Sequence, residues 1–225
     1  MTTEAEITTL AEPAAVLWDL DGTLVDSERL WREAEFEFLE SKGLPWSHEA
    51  GKRLVGGSLD IASDVIAEVT GVRFTVEELK EGLMGIFFRK LTEGIPWAPG
   101  ALDLVSAVAA AGAPQALVTS SEREVAELVA EAAGGRFAAI VSRGDVDRPK
   151  PDPEPYRRAV GLLGLDAGEC LAFEDSRAGV TSAAGAGVRV VAVGAEHPGA
   201  FASVPALDRL EVRPAAGVPS LVIRR

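Results

Sequence analysis

Cysteine and histidine are scarce in this 225-residue chain, and their scarcity weakens the case for several kinds of site. The single cysteine, Cys170, cannot form an internal disulfide, so nothing in the sequence calls for an oxidising compartment. It lies in an apolar run that predicts a buried, inert thiol, and Ser176 stands where a thiol phosphatase would carry arginine. The two histidines, His48 and His197, lie far apart and support neither a zinc cluster nor a Ser-His-Asp triad, although distance in sequence alone does not exclude a triad.

Positive charge is also scarce. The chain has 22 lysines and arginines against 35 aspartates and glutamates, a formal net charge of −13. Nucleic acids are bound through clustered basic side chains, so we expect no nucleic-acid partner. A small phosphorylated substrate stays possible, because a metal ion or one well-placed lysine can supply the positive charge that it needs.

We expect neither a targeting segment nor a membrane segment in this sequence. Residues 1–13 are acidic, without a basic start and an apolar block, so they predict a short disordered tail and not a signal peptide. The most apolar long window, 101–118, contains Asp103 and the turn signal Gly112-Ala113-Pro114, which predicts helix, turn and strand instead of a membrane span. We therefore expect a cytoplasmic monomer with no membrane partner.

Nucleotide-binding signatures are weak or missing. The Gly-rich stretch 184–187 precedes a predicted strand, whereas a dinucleotide fingerprint follows one, so it favours a helix end and a turn. No Gly-rich loop ending in Lys-Ser or Lys-Thr occurs in the sequence, which leaves an ATP-driven kinase unsupported. With 47% hydrophobic and 25% charged residues, the composition is that of a soluble globular protein.

The hydrophobic pattern predicts strands that alternate with helices in most of the chain. Strands are predicted at 16–18, 115–119, 137–141, 171–173 and 188–193, with an edge strand at 221–223; helices are predicted at 27–42, 59–69, 76–93 and 100–111. Between Gly43 and Pro99 the sequence predicts helices and no strand. Alternating strands and helices are typical of a parallel sheet covered on both faces, so we expect a three-layer α/β/α core with a helical insert.

The stretch that carries most information runs from Val16 to Thr23, an apolar run that ends in Asp19-Leu20-Asp21-Gly22-Thr23. Ligands of α/β proteins bind beyond the carboxyl ends of the strands. Alternation along a strand would turn Asp19 and Asp21 to the same side. Two carboxylates at such a short distance repel each other unless a cation lies between them. A lone Asp-x-Asp is most simply a capped loop, but Asp-x-Asp-Gly-Thr after an apolar run is much more specific.

Three further polar groups lie at predicted strand ends or in a rigid loop. Thr119-Ser120 ends a strand, Lys150 lies between prolines, and Glu174-Asp175 follows another strand. Taken singly, each has an ordinary explanation: a helix cap, a solvated lysine, and acidic residues that complement a helix dipole. Their order along the chain makes chance less plausible than a common site.

These four motifs, in this order, resemble those of the haloacid dehalogenase superfamily, over about residues 15–193. The resemblance implies a magnesium-dependent phosphatase in which Asp19 is the nucleophile and Asp21 the general acid and base. It further implies that Thr119, Ser120 and Lys150 bind the phosphoryl group. Asp19, the backbone carbonyl of Asp21 and Asp175 would be the Mg²⁺ ligands, with Glu174 close by or bound through water.

The resemblance also implies a division into a Rossmann-like core, residues 1–26 and 96–225, and a helical cap, residues 27–95. The expected substrate is a small phosphate monoester, and the nearest branch is that of sugar-phosphate phosphatases and β-phosphoglucomutases. Cap residues facing the site would set specificity, and the sequence nominates five of them: Glu28, Trp31, Gly56, Gly57 and Ser58.

Two alternatives to a phosphatase remain open, a phosphosugar mutase and a sensor that binds phosphate, whereas a dehalogenase is disfavoured. A phosphosugar mutase would carry a cap histidine where this chain has Trp31, which favours a phosphatase. A dehalogenase would lack the second aspartate, so Asp21 argues against that chemistry. The alternative of another class is a sensor that binds phosphate without turnover; the full set of acidic groups argues against it, and magnesium-dependent phosphate release would decide.

Overall fold

The computed structural model describes residues 8–54, 59–215 and 218–223. The chain divides into two compact units, one formed by Met1–Val25 with Trp97–Arg225 and the other by Asp26–Pro96. We refer to them as the core unit and the helical unit. The boundaries lie beside the exposed Asp26 and in the linker around Pro96.

The strands and helices are numbered in chain order. The strands are β1 (Thr8–Ala11), β2 (Ala15–Trp18), β3 (Gln115–Val118), β4 (Ala139–Val141), β5 (Cys170–Glu174), β6 (Arg189–Val193), β7 (Ala202–Val204), β8 (Leu210–Ala215) and β9 (Val218–Ile223). The helices are α1 (Ser27–Ser41), α2 (His48–Lys52), α3 (Leu59–Thr70), α4 (Val76–Glu93), α5 (Ala101–Ala110), α6 (Arg123–Ala132), α7 (Glu154–Leu163) and α8 (Arg177–Gly185).

The core unit is built on a six-stranded parallel sheet in the order β4-β3-β2-β5-β6-β7. The chain runs outward from β2 through β3 to β4, and then returns to the other side of β2 with β5. The topological switch therefore lies between β2 and β5, where open α/β sheets bind their ligands. Every residue of β2, β3 and β5 is buried, as expected of strands covered on both faces. The predicted α/β fold is confirmed.

A buried hydrogen-bonded pair ties the sheet to a neighbouring helix. The indole Nε1 of Trp18 donates to Gln115 Oε1 at 2.8 Å, and Gln115 Nε2 donates to the Val105 carbonyl on α5 at 3.0 Å. The Trp18 ring stacks on Phe173 with centroids 4.8 Å apart. A buried polar pair that is fully bonded rigidifies its surroundings, so this network fixes the strand residue immediately before Asp19.

The two chain ends form a second sheet. Strands β1, β9 and β8 make an antiparallel sheet in that order, and Thr8 pairs with Ile223. The expected disordered tail is therefore wrong for residues 8–11, which are a strand, while residues 1–7 lie outside the described part. The expected edge strand at 221–223 is longer than predicted and is the central strand of this second sheet. The pairing joins residues from opposite chain ends, which local sequence patterns do not reveal.

The helical unit comprises α1 to α4, and its described residues form no strand. Thr75 and Glu78 form the predicted capping box at the start of α4. Trp31 on α1 stacks on Phe87 of α4 with centroids 4.4 Å apart. The short helix α2 was not predicted, because a five-residue helix gives little periodicity to read. No helix in the described ranges has both the length and the apolar composition to cross a membrane.

Candidate active site

The parallel strands bring the predicted acidic groups to one edge of the core sheet. Asp19 follows β2 directly, and its backbone N–H donates to the Phe173 carbonyl on β5 at 3.0 Å. Glu174 is the last residue of β5, and Asp175 follows it. Because Trp18 pairs with Phe173 in the parallel register, the next residues along the two strands are neighbours. The three carboxylates Asp19, Glu174 and Asp175 thus lie at the topological switch, with oxygens within 4.8 Å of one another.

Lys150 lies among these carboxylates. Its Nζ donates to Asp19 Oδ1 at 2.6 Å, to Glu174 Oε1 at 2.6 Å and to the Val118 carbonyl at 2.9 Å. Its side chain is only 5% exposed. An ammonium group has three protons to donate, so every proton of Lys150 is used. The predicted phosphate-binding lysine is therefore held directly against the predicted nucleophile.

Burial and an excess of negative charge together set the electrostatics of this cluster. Burial, with a further contribution from Glu174, raises the pKa of Asp19 to about 7. Burial and the neighbouring Asp19 raise the pKa of Asp175 to about 7. Burial alone would lower the pKa of Lys150, but Asp19 and Glu174 outweigh it and raise that pKa, which keeps the ammonium charged. One cation does not neutralise three carboxylates, so this cluster favours the binding of a second positive charge.

Asp21 is held by hydroxyl groups from the end of β3. Its Oδ2 accepts hydrogen bonds from Thr119 Oγ1 at 3.2 Å and from Ser121 Oγ at 2.6 Å. The Ser121 backbone N–H in turn donates to Thr119 Oγ1 at 2.9 Å. The predicted phosphate ligand Ser120 is exposed, and none of the hydrogen bonds described here involves its hydroxyl. The hydroxyls that face Asp21 thus come from Thr119 and Ser121, and the expected role of Ser120 as a phosphate ligand stays a prediction.

Asp175 is held from two sides. Its Oδ1 accepts a hydrogen bond from Thr23 Oγ1 at 3.3 Å, and its backbone carbonyl lies 2.6 Å from Nε2 of His197. Gly22, with φ of +83°, lies so close that a Cβ there would be 2.1 Å from Asp175 Oδ2. A side chain at position 22 would displace this carboxylate, so the Asp-Gly-Thr motif needs its glycine both for the left-handed turn and for the room that it leaves.

Glu174 is completely buried and enclosed on all sides. Its Oε1 accepts from Lys150 and, at 2.6 Å, from the hydroxyl of Tyr156 on α7. Its Oε2 lies 3.4 Å from Ser176 Oγ, which caps α8 by accepting from the Gly179 backbone N–H. A Cβ on Gly179 would be 1.8 Å from Oε2, so the helix can pass this close only because residue 179 is glycine.

The donor set fits a hard divalent cation. All the ligand atoms are carboxylate or carbonyl oxygens, which Mg²⁺ prefers, and one oxygen each of Asp19, Glu174 and Asp175 lies within 4.8 Å of the others. Together with the unbalanced negative charge, these observations make the cluster a candidate metal centre.

The predicted site residues fall into two groups. Those of the four motifs, namely Asp19, Asp21, Thr119, Lys150, Glu174 and Asp175, are brought together in the core unit by the contacts described above. The nominated cap residues belong to the helical unit: Glu28 is exposed on α1, and Trp31 packs against Phe87. Gly56, Gly57 and Ser58 lie outside the described residues.

Sequence reasoning missed four side chains of this site: Thr23, Ser121, Tyr156 and His197. Thr23 and Ser121 adjoin motif residues, so their positions could have been read from the motifs. Tyr156 follows the Lys-Pro-Asp-Pro stretch by a few residues, and nothing in the local sequence distinguishes it from an aromatic residue that only fills the core. His197 lies in the loop after β6, and no local pattern distinguishes it.

Comparison with known proteins agrees with this geometry. A family model for haloacid dehalogenase-like hydrolases matches residues 13–187. Hexitol phosphatase A of Escherichia coli (strain K12) is 35% identical over 211 residues, covering 87% of this chain and 88% of the relative. Validoxylamine A 7'-phosphate phosphatase of Streptomyces hygroscopicus subsp. limoneus is 30% identical over 203 residues, covering 88% and 94% respectively.

A solved structure is also similar. The crystal structure of a putative β-phosphoglucomutase from Thermotoga maritima superposes with a TM-score of 0.76 at 27% identity, covering 87% of this chain and 95% of that chain. The similarity extends over both units of this chain, since it covers most of the sequence.

Proposed function

Because the chain belongs to the haloacid dehalogenase-like hydrolases, we propose that it is a magnesium-dependent phosphatase that hydrolyses phosphate monoesters of small sugars or polyols. The observation that carries the proposal is the position of Lys150, which pairs with Asp19 at the switch point of the sheet while two further carboxylates face them. Hydrolysis of a phosphate monoester needs a nucleophile, a proton donor and concentrated positive charge, and this edge of the sheet has groups for each.

The proposed reaction has two steps. In the first, an oxygen of Asp19 attacks phosphorus, the bond to the leaving oxygen breaks, and Asp21 gives its proton to that oxygen. In the second, Asp21 accepts a proton from water as that water attacks the aspartyl-phosphate, which releases inorganic phosphate and restores Asp19. General acid and base catalysis of this kind contributes roughly 10²–10⁴-fold. The bonds from Thr119 and Ser121 support this role, because they hold Asp21 in one orientation.

Lys150 and the hydroxyl groups serve the phosphoryl group in this proposal. Lys150 would neutralise its oxygens, and Thr119 would turn its one hydroxyl proton from Asp21 to one of them, while Ser121 keeps its bond to Asp21. Asp19, Asp175 and the backbone carbonyl of Asp21 would hold Mg²⁺, with Glu174 close by or bound to the ion through water. The ion would supply the positive charge that the developing transition state needs.

The names of the relatives support the substrate class. One is called a hexitol phosphatase and another a validoxylamine A 7'-phosphate phosphatase. We propose the same class here, with the helical unit acting as the cap that selects the substrate, through Trp31 and Glu28 among its residues.

The experiment is phosphate release from a panel of sugar and polyol phosphates, with Mg²⁺ and after exhaustive chelation. The matched control is Asp19→Asn, whose amide has the same shape but cannot act as the nucleophile. We expect it to remain folded and to lose turnover. A variant that keeps more than a small fraction of the activity, in a preparation free of other phosphatases, would refute the assignment of Asp19.

A phosphosugar mutase is the second candidate, and the similarity to a putative β-phosphoglucomutase structure favours it. The two activities separate when β-glucose 1-phosphate is supplied. A mutase would form glucose 6-phosphate, whereas a phosphatase would release glucose and inorganic phosphate.

A further inference from the structure

The bonding of Lys150 leaves no proton of its ammonium group free. Its three donors are shared by Asp19, Glu174 and the Val118 carbonyl. If Lys150 is to contact a phosphoryl oxygen, as in the proposed function, one of these acceptors has to give up its hydrogen bond. Glu174 is completely buried, and a buried carboxylate that loses a charged partner is strongly destabilised. A second donor to Glu174 would lower the cost of giving up its hydrogen bond from Lys150.

Tyr156 contacts both members of this ion pair. Its hydroxyl donates to Glu174 Oε1 at 2.6 Å, the oxygen that Lys150 also uses, and its ring lies with the centroid 5.4 Å from Lys150 Nζ. The side chain is completely buried. Burial and the neighbouring Glu174 raise the pKa of Tyr156 well above its ordinary value, so the phenol keeps its proton and acts as a donor.

We propose that Tyr156 is a positioning residue of the active site, whose hydroxyl supports the charge of Glu174 so that Lys150 can be shared with the phosphoryl group. The inference rests on the proposed phosphatase function. Tyr156 acts through Glu174 and Lys150 and has no contact with the reacting atoms.

The simpler explanation is that Tyr156 only fills the core beneath the sheet, where it packs in the apolar cluster around β2, β3 and β5. Phenylalanine would fill that place equally well, and it differs only by the hydroxyl. The two explanations therefore predict different results for the same substitution. If the residue only fills space, removing the hydroxyl changes stability and leaves catalysis alone.

The first experiment compares Tyr156→Phe with Ser63→Ala. Ser63 is a buried residue of the helical unit whose hydroxyl donates to the Phe74 carbonyl at 2.5 Å, so both variants lose one buried hydroxyl bond. We expect both to unfold at lower denaturant concentration, and only Tyr156→Phe to lose kcat/KM, by roughly 10-fold or more, as for other groups that orient site ligands. In a Glu174→Gln background the further loss from Tyr156→Phe should be much smaller, because the supported charge is gone.

A second experiment uses the fact that Tyr156 is the only tyrosine of the chain. Expression with 3-fluorotyrosine changes this phenol alone, and the Tyr156→Phe protein grown in the same medium is its fluorine-free control. Fluorine makes the phenol more acidic and hence a stronger donor to a carboxylate. We expect kcat/KM measurably above that of the unlabelled protein, opposite in direction to the phenylalanine variant.

Each outcome decides. An active wild type with kcat/KM unchanged in Tyr156→Phe, or an equal loss from that substitution in both backgrounds, overturns the inference and leaves the proposed function intact. If Tyr156→Phe does not fold, the fluorinated protein decides alone, and unchanged kcat/KM then overturns the inference. A wild type without magnesium-dependent phosphate release contradicts the proposed function itself and removes the basis of this inference with it.

Discussion

Glu35 on α1 gives the sharpest prediction about stability. The residue is 7% exposed, and its Oε2 has no hydrogen-bond partner among the described residues. A Cβ on Gly51 would be 3.1 Å from that oxygen and 3.7 Å from Nε1 of Trp46, which also lacks a partner in the described ranges. Burial raises the pKa of Glu35 to about 7, although the indole of Trp46 and the charge of Arg32 partly offset the rise. The helical unit thus contains a carboxyl group that resists ionisation.

The sign of the effect on folding follows from this pKa. The folded protein holds the Glu35 proton more tightly than the unfolded chain, whose carboxyl has a pKa near 4.5. The resulting stabilisation of the folded state is fully present below pH 4.5 and is lost as the pH rises through about 7. Each pKa unit corresponds to about 1.4 kcal/mol, so the full rise would correspond to roughly 3 kcal/mol. Glu35 keeps 7% of its surface exposed, and water that reaches the carboxyl reduces such effects, so we expect about 1–2 kcal/mol.

The test is the substitution Glu35→Gln, with Glu40→Gln as the control from an exposed position on the same helix. Unfolding by urea, followed by tryptophan fluorescence in the absence of metal, gives the free energy of unfolding at pH 5 and pH 8. Between pH 5 and pH 8, the free energy of unfolding of the wild type and of the Glu40 variant should fall by about 1–2 kcal/mol more than that of Glu35→Gln. Asp19 and Asp175 titrate in the same range in all three proteins, so their contribution cancels in the comparison. Parallel pH dependences for Glu35→Gln and the wild type would show that the burial argument is wrong.

The remaining predictions concern the site and the cap. Gly179→Ala should lower the free energy of unfolding by roughly 1–3 kcal/mol, as overpacking does, and reduce turnover, because its Cβ would meet Glu174. Gly161→Ala, on an exposed helical position with open space around it, should instead stabilise by about 1 kcal/mol, and equal effects of the two would refute the steric argument. Asp175→Ala should raise the Mg²⁺ concentration for half-maximal activity by about 10-fold or eliminate activity, whereas an unaltered magnesium titration would remove Asp175 from the ligand set. Trp31→Ala should change the ranking of substrates more than the hydrolysis of a small aryl phosphate; an unchanged ranking with a lower melting temperature would mark Trp31 as core.

The placement of most motif residues at one edge of the sheet could be predicted because they lie at the ends of buried parallel strands, whereas Lys150 lies in a loop. Such strands appear in the sequence as short apolar runs, and the polar residue after each run lies at the same edge of the sheet as the others. Asp19, Thr119 and Glu174 were found in this way. Three of the four helices of the insert, α1, α3 and α4, were found with their boundaries within a few residues, since caps such as Thr75 mark where helices begin.

What the sequence did not reveal depends on contacts between distant residues. Tyr156 looks like any aromatic residue on an apolar helix face, and its role becomes visible only when β5 places Glu174 opposite its hydroxyl. The close approach at Gly179 likewise depends on where α8 passes over β5. The sheet of the chain ends depends on pairing across nearly the whole sequence, and the acidic start of the chain gave no sign of it.

The pairing of β1 with β9 has a consequence for the response of the protein to mechanical force. The two strands run antiparallel, with Thr8, at the start of β1, opposite Ile223, at the end of β9. A pull on both ends of the chain therefore loads the hydrogen bonds of this pair one after another, as in opening a zipper, and does not shear them all at once. In a single-molecule pulling experiment the terminal sheet should peel away at low force, and the parallel sheet that holds Asp19 and Glu174 should open only afterwards.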